Sequence, residues 1–120
     1  GTLKDIADLE AKDIRNNMPR FNAEHYPNNL ALLNDYFALA KDIGCTPAQL
    51  ALAWLTAKDE NIVPIPGTRS VNHMRDNFEA AQLKLDTKQV SLLDEMINQN
   101  NVHGTRYTTA QQAEIDTEEF

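Results

Sequence analysis

The chain has 120 residues, of which 42% are hydrophobic and 24% charged, and carries a formal net charge of −7. That charge argues against a nucleic acid or an anionic membrane as partner, because both select clustered cationic side chains. No apolar run approaches the roughly 18 residues that cross a bilayer, no signal-peptide pattern opens the chain, and a single cysteine, Cys45, excludes an internal disulfide framework, so the expectation is a soluble piece of cytoplasmic protein.

Residues 1 to 28 read as an irregular, loop-like front. Gly1 in place of a methionine fits an expression scar or a cleavage product. Leu3, Ile6 and Leu9 suggest a short helix, whereas Asn16-Asn17, Pro19 and Pro27-Asn28-Asn29 are turn signals. Leu30, Leu33, Phe37 and Ala40 then recur at three and four residues and predict an amphipathic helix ending near Gly44. Cys45 reads as a small apolar filler before the next helix, not as a nucleophile.

That next helix is signposted by Thr46 as cap, Pro47 at the first helical position and Gln49 closing a capping box, with Leu50, Ala53, Trp54 and Ala57 facing inward. Ile62 to Ile65 reads as a short apolar strand, although Pro64 removes one ladder donor from it. Val71, Met74, Phe78 and Ala81 predict the buried stripe of a third helix and leave His73 and Asn77 on a more exposed face. Asp86 and Gln89 box a fourth helix that buries Val90, Leu93 and Ile97. The acids Glu114, Asp116, Glu118 and Glu119 read as a solvated tail. Four helical stripes against one strand lack a sheet to pack on, so the chain taken alone is expected to be mostly helical and marginal or self-associated.

The segment Ile62 to Asn77 carries the chemistry. Gly67 after the apolar run permits close backbone approach, Ser70 caps the following helix, and that helix's unpaired amides favour an anion. Arg69, and His73 when protonated, add donors suited to phosphate oxygens. By spacing alone, an ordinary strand-to-helix turn with a solvated Arg is the preferred reading.

Ile65-Pro66-Gly67-Thr68-Arg69-Ser70, followed by His73 and Asn77, resembles the C-terminal cofactor signature of the aldo-keto reductases. Asp13 to Phe21 resembles that family's long loop after the seventh barrel strand, and Asn29-Leu30-Ala31-Leu32 the start of the helix after it. Thr46 to Leu55 resembles the helix leading into the eighth strand, so the likeness covers most of residues 13 to 97 in the family's order. The resemblance implies an α/β fold: the C-terminal portion of a (β/α)8 barrel, a fold of about 250 residues. Residues 1–28 would be a substrate-side loop, 29–97 the helices and last strand, and 98–120 a C-terminal tail.

The resemblance further implies a parent oxidoreductase that reduces aldehydes and ketones to alcohols with NADP(H) and no metal. The family's catalytic Asp, Tyr, Lys and His have no counterpart here, so this chain alone is expected to be inactive, its partners being the rest of its barrel and a small carbonyl substrate. Carried over by position, Ile65, Pro66, Gly67 and Thr68 form the turn at the adenosine-side phosphate. Arg69 pairs with the ribose 2'-phosphate, His73 sits beside it, and Asp76 and Asn77 reach the adenine edge. Asp76 stands where many members carry Glu, and His73 where others carry Arg.

Arg20, Phe21, His25 and Tyr26 form a tempting catalytic set, but no orienting acid accompanies them, and a loop packed over the barrel mouth is the expectation. His103 and Tyr107 lie in the tail, and Arg106-Tyr107 resembles a short family element there. No two His or Cys residues have ligand spacing, so no metal site is expected. The competing class is a non-catalytic nucleotide-sensing or helical interaction module derived from the same family.

Overall fold

In the computed structural model, which describes residues 3–115, the regular elements among the described residues are all helical. They comprise α1 (Tyr26–Ile43), α2 (Pro47–Lys58), α3 (Val71–Glu79), α4 (Thr87–Met96) and α5 (Thr109–Gln112), with 3-10 turns at Ile6–Asp8, Ile14–Asn17, Pro19–Phe21 and Ala80–Gln82. The chain divides into two compact units: Gly1–Asn34 with Ile97–Phe120, and Asp35–Met96. α1 contributes its start to the first unit and its end to the second.

The second unit holds the apolar core. Ala40, Leu50 and Leu93 are buried together, with Tyr36, Ile43, Cys45, Trp54 and Leu85 packed on them. The capping box at the start of α2 forms as expected: Gln49 N donates to Thr46 Oγ1 at 3.1 Å, and Thr46 N to Gln49 Oε1 at 3.0 Å. The same reciprocal pair opens α4, from Gln89 N to Asp86 Oδ1 at 2.8 Å and from Asp86 N to Gln89 Oε1 at 2.9 Å. Gly44, at φ 83°, ends α1 in the left-handed region that a Cβ disfavours. Burial pushes the Cys45 thiol up and the Tyr36 hydroxyl up to about 12, Cys45 adding to the latter; both belong to packing, and Tyr36 Oη donates to Pro47 O at 2.7 Å.

In the first unit, the 3-10 turns Ile6–Asp8 and Ile14–Asn17 are capped by Asp5 and Asp13. Asp13 accepts from the Arg15 amide and, through both oxygens, from the Arg15 guanidinium at 2.9 and 2.6 Å. These bonds lower the Asp13 carboxyl to about 2, the Arg15 side-chain bond contributing most. Arg15 in turn lies over the Phe21 ring at 5.7 Å, and Phe21 stacks on Tyr26 with centroids 5.4 Å apart. Tyr26 Oη closes the front by donating to Leu3 O at 2.9 Å.

Several expectations are corrected. Ile62 to Ile65 is extended but unpaired, and no strand occurs among the described residues. A strand exists only through a ladder partner, and Pro64 lacks one of the donors. The described residues are therefore helical, as expected for the chain taken alone, and show no α/β layering of their own. Pro27-Asn28-Asn29 is helical, not a turn, because proline in a first turn forfeits an amide that would be unpaired anyway. Val71, Met74, Phe78 and Ala81 do form one apolar face, but it is exposed, Phe78 at 73%. Asn77, expected on the open face, is half-buried instead. Ala57, in the last turn of α2, and Ile97, just past the end of α4, are exposed because they lie beyond the core. Of the acidic tail, Glu114 is exposed, while Asp116, Glu118 and Glu119 lie outside the described residues.

Candidate functional site

The turn Ile65 to Ser70 and the start of α3 form one local structure within the second unit. Ser70 is the N-cap, its Oγ accepting from His73 N at 3.4 Å, and its carbonyl accepts from Met74 N at 2.9 Å. Thr68 folds the turn: its Oγ1 accepts from Ser70 N at 3.1 Å and lies 3.3 Å from Ser70 O. The Thr68 hydroxyl is thus engaged in shaping the loop. The amides of Val71 and Asn72, the first two of α3, have no hydrogen-bond partner among the described residues, which leaves the positive end of the helix open.

Gly67 sits where a Cβ would meet nothing within 4 Å, so its role is not set by crowding within this chain. Arg69 and His73 are both exposed, and among the described residues neither side chain has a hydrogen-bond or ion-pair partner. In a chain of net charge −7, with acids available for pairing, an unpaired arginine beside an open helix N-terminus is a concentrated cationic point. Such an arrangement suits an oxyanion, with Arg69 supplying a planar fork and the helix supplying amides.

Asp76 and Asn77 lie one turn further along α3 and are half-buried. Asp76 O accepts from Gln49 Nε2 at 3.3 Å, and the same amide reaches Glu79 Oε2 at 3.4 Å, so the cap residue of α2 also fixes α3. Asn77 lines a concavity of ≈ 200 Å³ together with Pro64, Pro66 and Phe78, on a floor of Leu52 and Thr56 from α2. The expected residues therefore separate into two groups: Gly67, Thr68, Arg69 and His73 at the cationic turn, and Pro66 and Asn77 at the apolar concavity. Ile65, 93% exposed, and Asp76, half-buried, join neither group. Leu52 and Thr56 are marked in the sequence only by their spacing along α2, and Gln49 only by its part in the α2 capping box.

A family model described as the aldo/keto reductase family matches residues 2–98. The chain belongs to the aldo/keto reductase family.

Among curated relatives, an NADP(+) aldo-keto reductase of Schizosaccharomyces pombe, Yakc, is 36% identical over 107 residues, covering 89% of this chain and 32% of that protein. The aldo-keto reductase Str7 of Strobilurus tenacellus is 28% identical over the full chain and 36% of its own length. A probable aldo-keto reductase of Glycine max is 39% identical over 89 residues, 74% of this chain and 26% of its own. The chain therefore spans about a third of the length of the curated relatives it matches. No solved structure matches it. Among the described residues, no helix is long and apolar enough to cross a membrane.

Proposed function

We propose that this chain is the C-terminal part of a (β/α)8 aldo-keto reductase barrel, with residues 1–28 as substrate-side loop, 29–97 as helices and last strand, and 98–120 as tail. In this reading Ile65, Pro66, Gly67, Thr68, Arg69, His73, Asp76 and Asn77 hold the adenosine 2'-phosphate end of NADP(H). The observation that carries it is Arg69: exposed, unpaired and adjacent to the open amides of α3. A 2'-phosphate needs a cation, whereas a bare 2'-hydroxyl does not. The donor set fits the phosphate, because the turn presents a guanidinium, an imidazole and main-chain N–H groups.

The bound cofactor supplies a hydride to the carbonyl carbon of an aldehyde or ketone. This chain's part is positional. Arg69 and the α3 amides bind and orient the phosphate, Ser70 and Thr68 hold the turn in shape, and Asn77 offers an amide beside the half-buried Asp76 for the adenine edge. The extended Ile62 to Pro66 segment supports the barrel assignment, since Val63 at 79% and Ile65 at 93% exposed are apolar groups with an unpaired backbone between them. Apolar residues in an all-parallel barrel strand are ordinarily covered on both faces.

Nothing in these 120 residues corresponds to the family's catalytic Asp, Tyr, Lys and His, so turnover belongs to a longer, cytoplasmic polypeptide containing them. The test is reduction of an aldehyde with NADPH by that polypeptide and by the 120-residue chain. Turnover by the first alone supports the assignment. A longer polypeptide that binds NADPH without turnover would instead favour the nucleotide-sensing alternative, and absence of NADPH binding would overturn the cofactor reading.

A further inference from the structure

The first unit contains a cavity with polar donors in its lining that the cofactor reading does not use. It has a volume of ≈ 400 Å³ and is lined by Arg20, His25, Gln99, Val102, Gly104 and Thr105, with Pro19 at its edge. That volume lies within the range of about 300–1,000 Å³ typical of small-molecule sites. We propose that this cavity binds a small oxyanion group, a carboxylate or phosphate carried by a compact metabolite.

Its lining contains a guanidinium, an imidazole and a primary amide but no carboxylate, in a chain with 18 acidic residues against 11 Lys and Arg. Arg20 is half-buried and is held through one nitrogen: Nε donates to Gly104 O at 3.1 Å. Its two terminal nitrogens have no partner among the described residues, nor do the side chains of His25 and Gln99. A guanidinium fixed at Nε keeps its terminal nitrogens available in one plane, the geometry that pairs with two oxygens of one anion. Thr105 is not a further donor, because its hydroxyl donates to Tyr107 O at 2.8 Å.

The walls are tied together by hydrogen bonds and close packing. Asn29 clamps the tail through a reciprocal pair, Nδ2 donating to His103 O at 2.8 Å and Oδ1 accepting from His103 N at 2.8 Å. Gly104 adopts φ +80°, and a Cβ there would stand 2.6 Å from His25 Cδ2. Only glycine lets the tail approach the His25 ring this closely, and the His103 ring lies a further 6.4 Å from His25 between centroids. These contacts place the Arg20 and His25 side chains around one space, which Gln99 also lines.

The experiment is NMR titration of the natural polypeptide that contains these residues, with inorganic phosphate and, separately, acetate, following the Arg20 side chain, the His25 ring and the Gly104 amide. Saturable shifts with a dissociation constant on the order of 1 mM are expected for at least one probe. Saturation by phosphate alone identifies a phosphorylated ligand, and saturation by acetate a carboxylate. Arg20→Gln should weaken binding about tenfold or more, and Arg20→Lys should retain part of it. Arg69→Ala should leave these shifts in place, which separates this cavity from the cofactor turn. Absence of saturation with either anion overturns the proposal. So does binding that survives Arg20→Gln in a protein whose spectrum shows an intact fold, or binding that disappears with Arg69→Ala.

Discussion

The indole Nε1 of Trp54 donates to Asp94 Oδ1 at 2.7 Å, while Lys58, one turn along α2, reaches the other oxygen at 2.7 Å. One carboxylate thereby ties α2 to α4. Lys58, and then Trp54, hold the Asp94 carboxyl below its ordinary value. A folded-state value below the unfolded one contributes stability that is present above the unfolded value and lost as pH falls through the folded one. Trp54 is the sole tryptophan, so its fluorescence reports the event directly. Acidification from neutral pH should change Trp54 emission in the acid range, and Asp94→Asn should remove that step. A step unchanged in Asp94→Asn would show that the pair does not contribute it.

Leu50 is fully buried at the centre of the second unit, and its truncation leaves a cavity there. Leu50→Ala should cost about 2–5 kcal/mol in urea unfolding. Thr46→Ala, which removes only the α2 cap, should cost about 1 kcal/mol. Equal effects would place the stability of this unit in its caps instead of its core.

The apolar face of α3 and the extended segment before it provide a third expectation. Val63, Ile65, Val71, Met74 and Phe78 are large apolar groups left in water, and an unpaired extended backbone is a template for pairing with another chain. The isolated 120-residue chain should sediment as a concentration-dependent associated species. Replacing Val63 and Ile65 with lysine should shift it towards monomer. A monodisperse monomer before substitution would contradict this account of the exposed face.

The helices were legible because their signals are local. Thr46-Pro47 with Gln49, and Asp86 with Gln89, specify helix starts by hydrogen bonds within four residues, and both boxes form. Gly44 ends α1 for an equally local reason. Ile62 to Ile65 is extended but unpaired because its pattern describes a segment's suitability for pairing, while pairing itself depends on partners elsewhere. Burial of Phe78 and Met74 failed in the same way: periodicity places them on one face but does not supply the surface that covers it. At the candidate site, the Ser70 cap and the cationic character of Arg69 were readable from residue type. The inward position of Asn77 beside Pro66 and Thr56 was not, since it depends on how α2 and α3 pack through Gln49.

Whether Arg69 grips the 2'-phosphate is decided by the ratio of NADPH to NADH affinity, before and after Arg69→Ala, in the polypeptide that holds the rest of the proposed barrel. Loss of a hydrogen-bonded charge pair costs about 1.5–3 kcal/mol, so the ratio should fall by roughly ten- to a hundredfold, with NADH affinity little changed. An unchanged ratio would contradict the account, leaving Ile65 to Ser70 as a strand-to-helix turn with a solvated arginine.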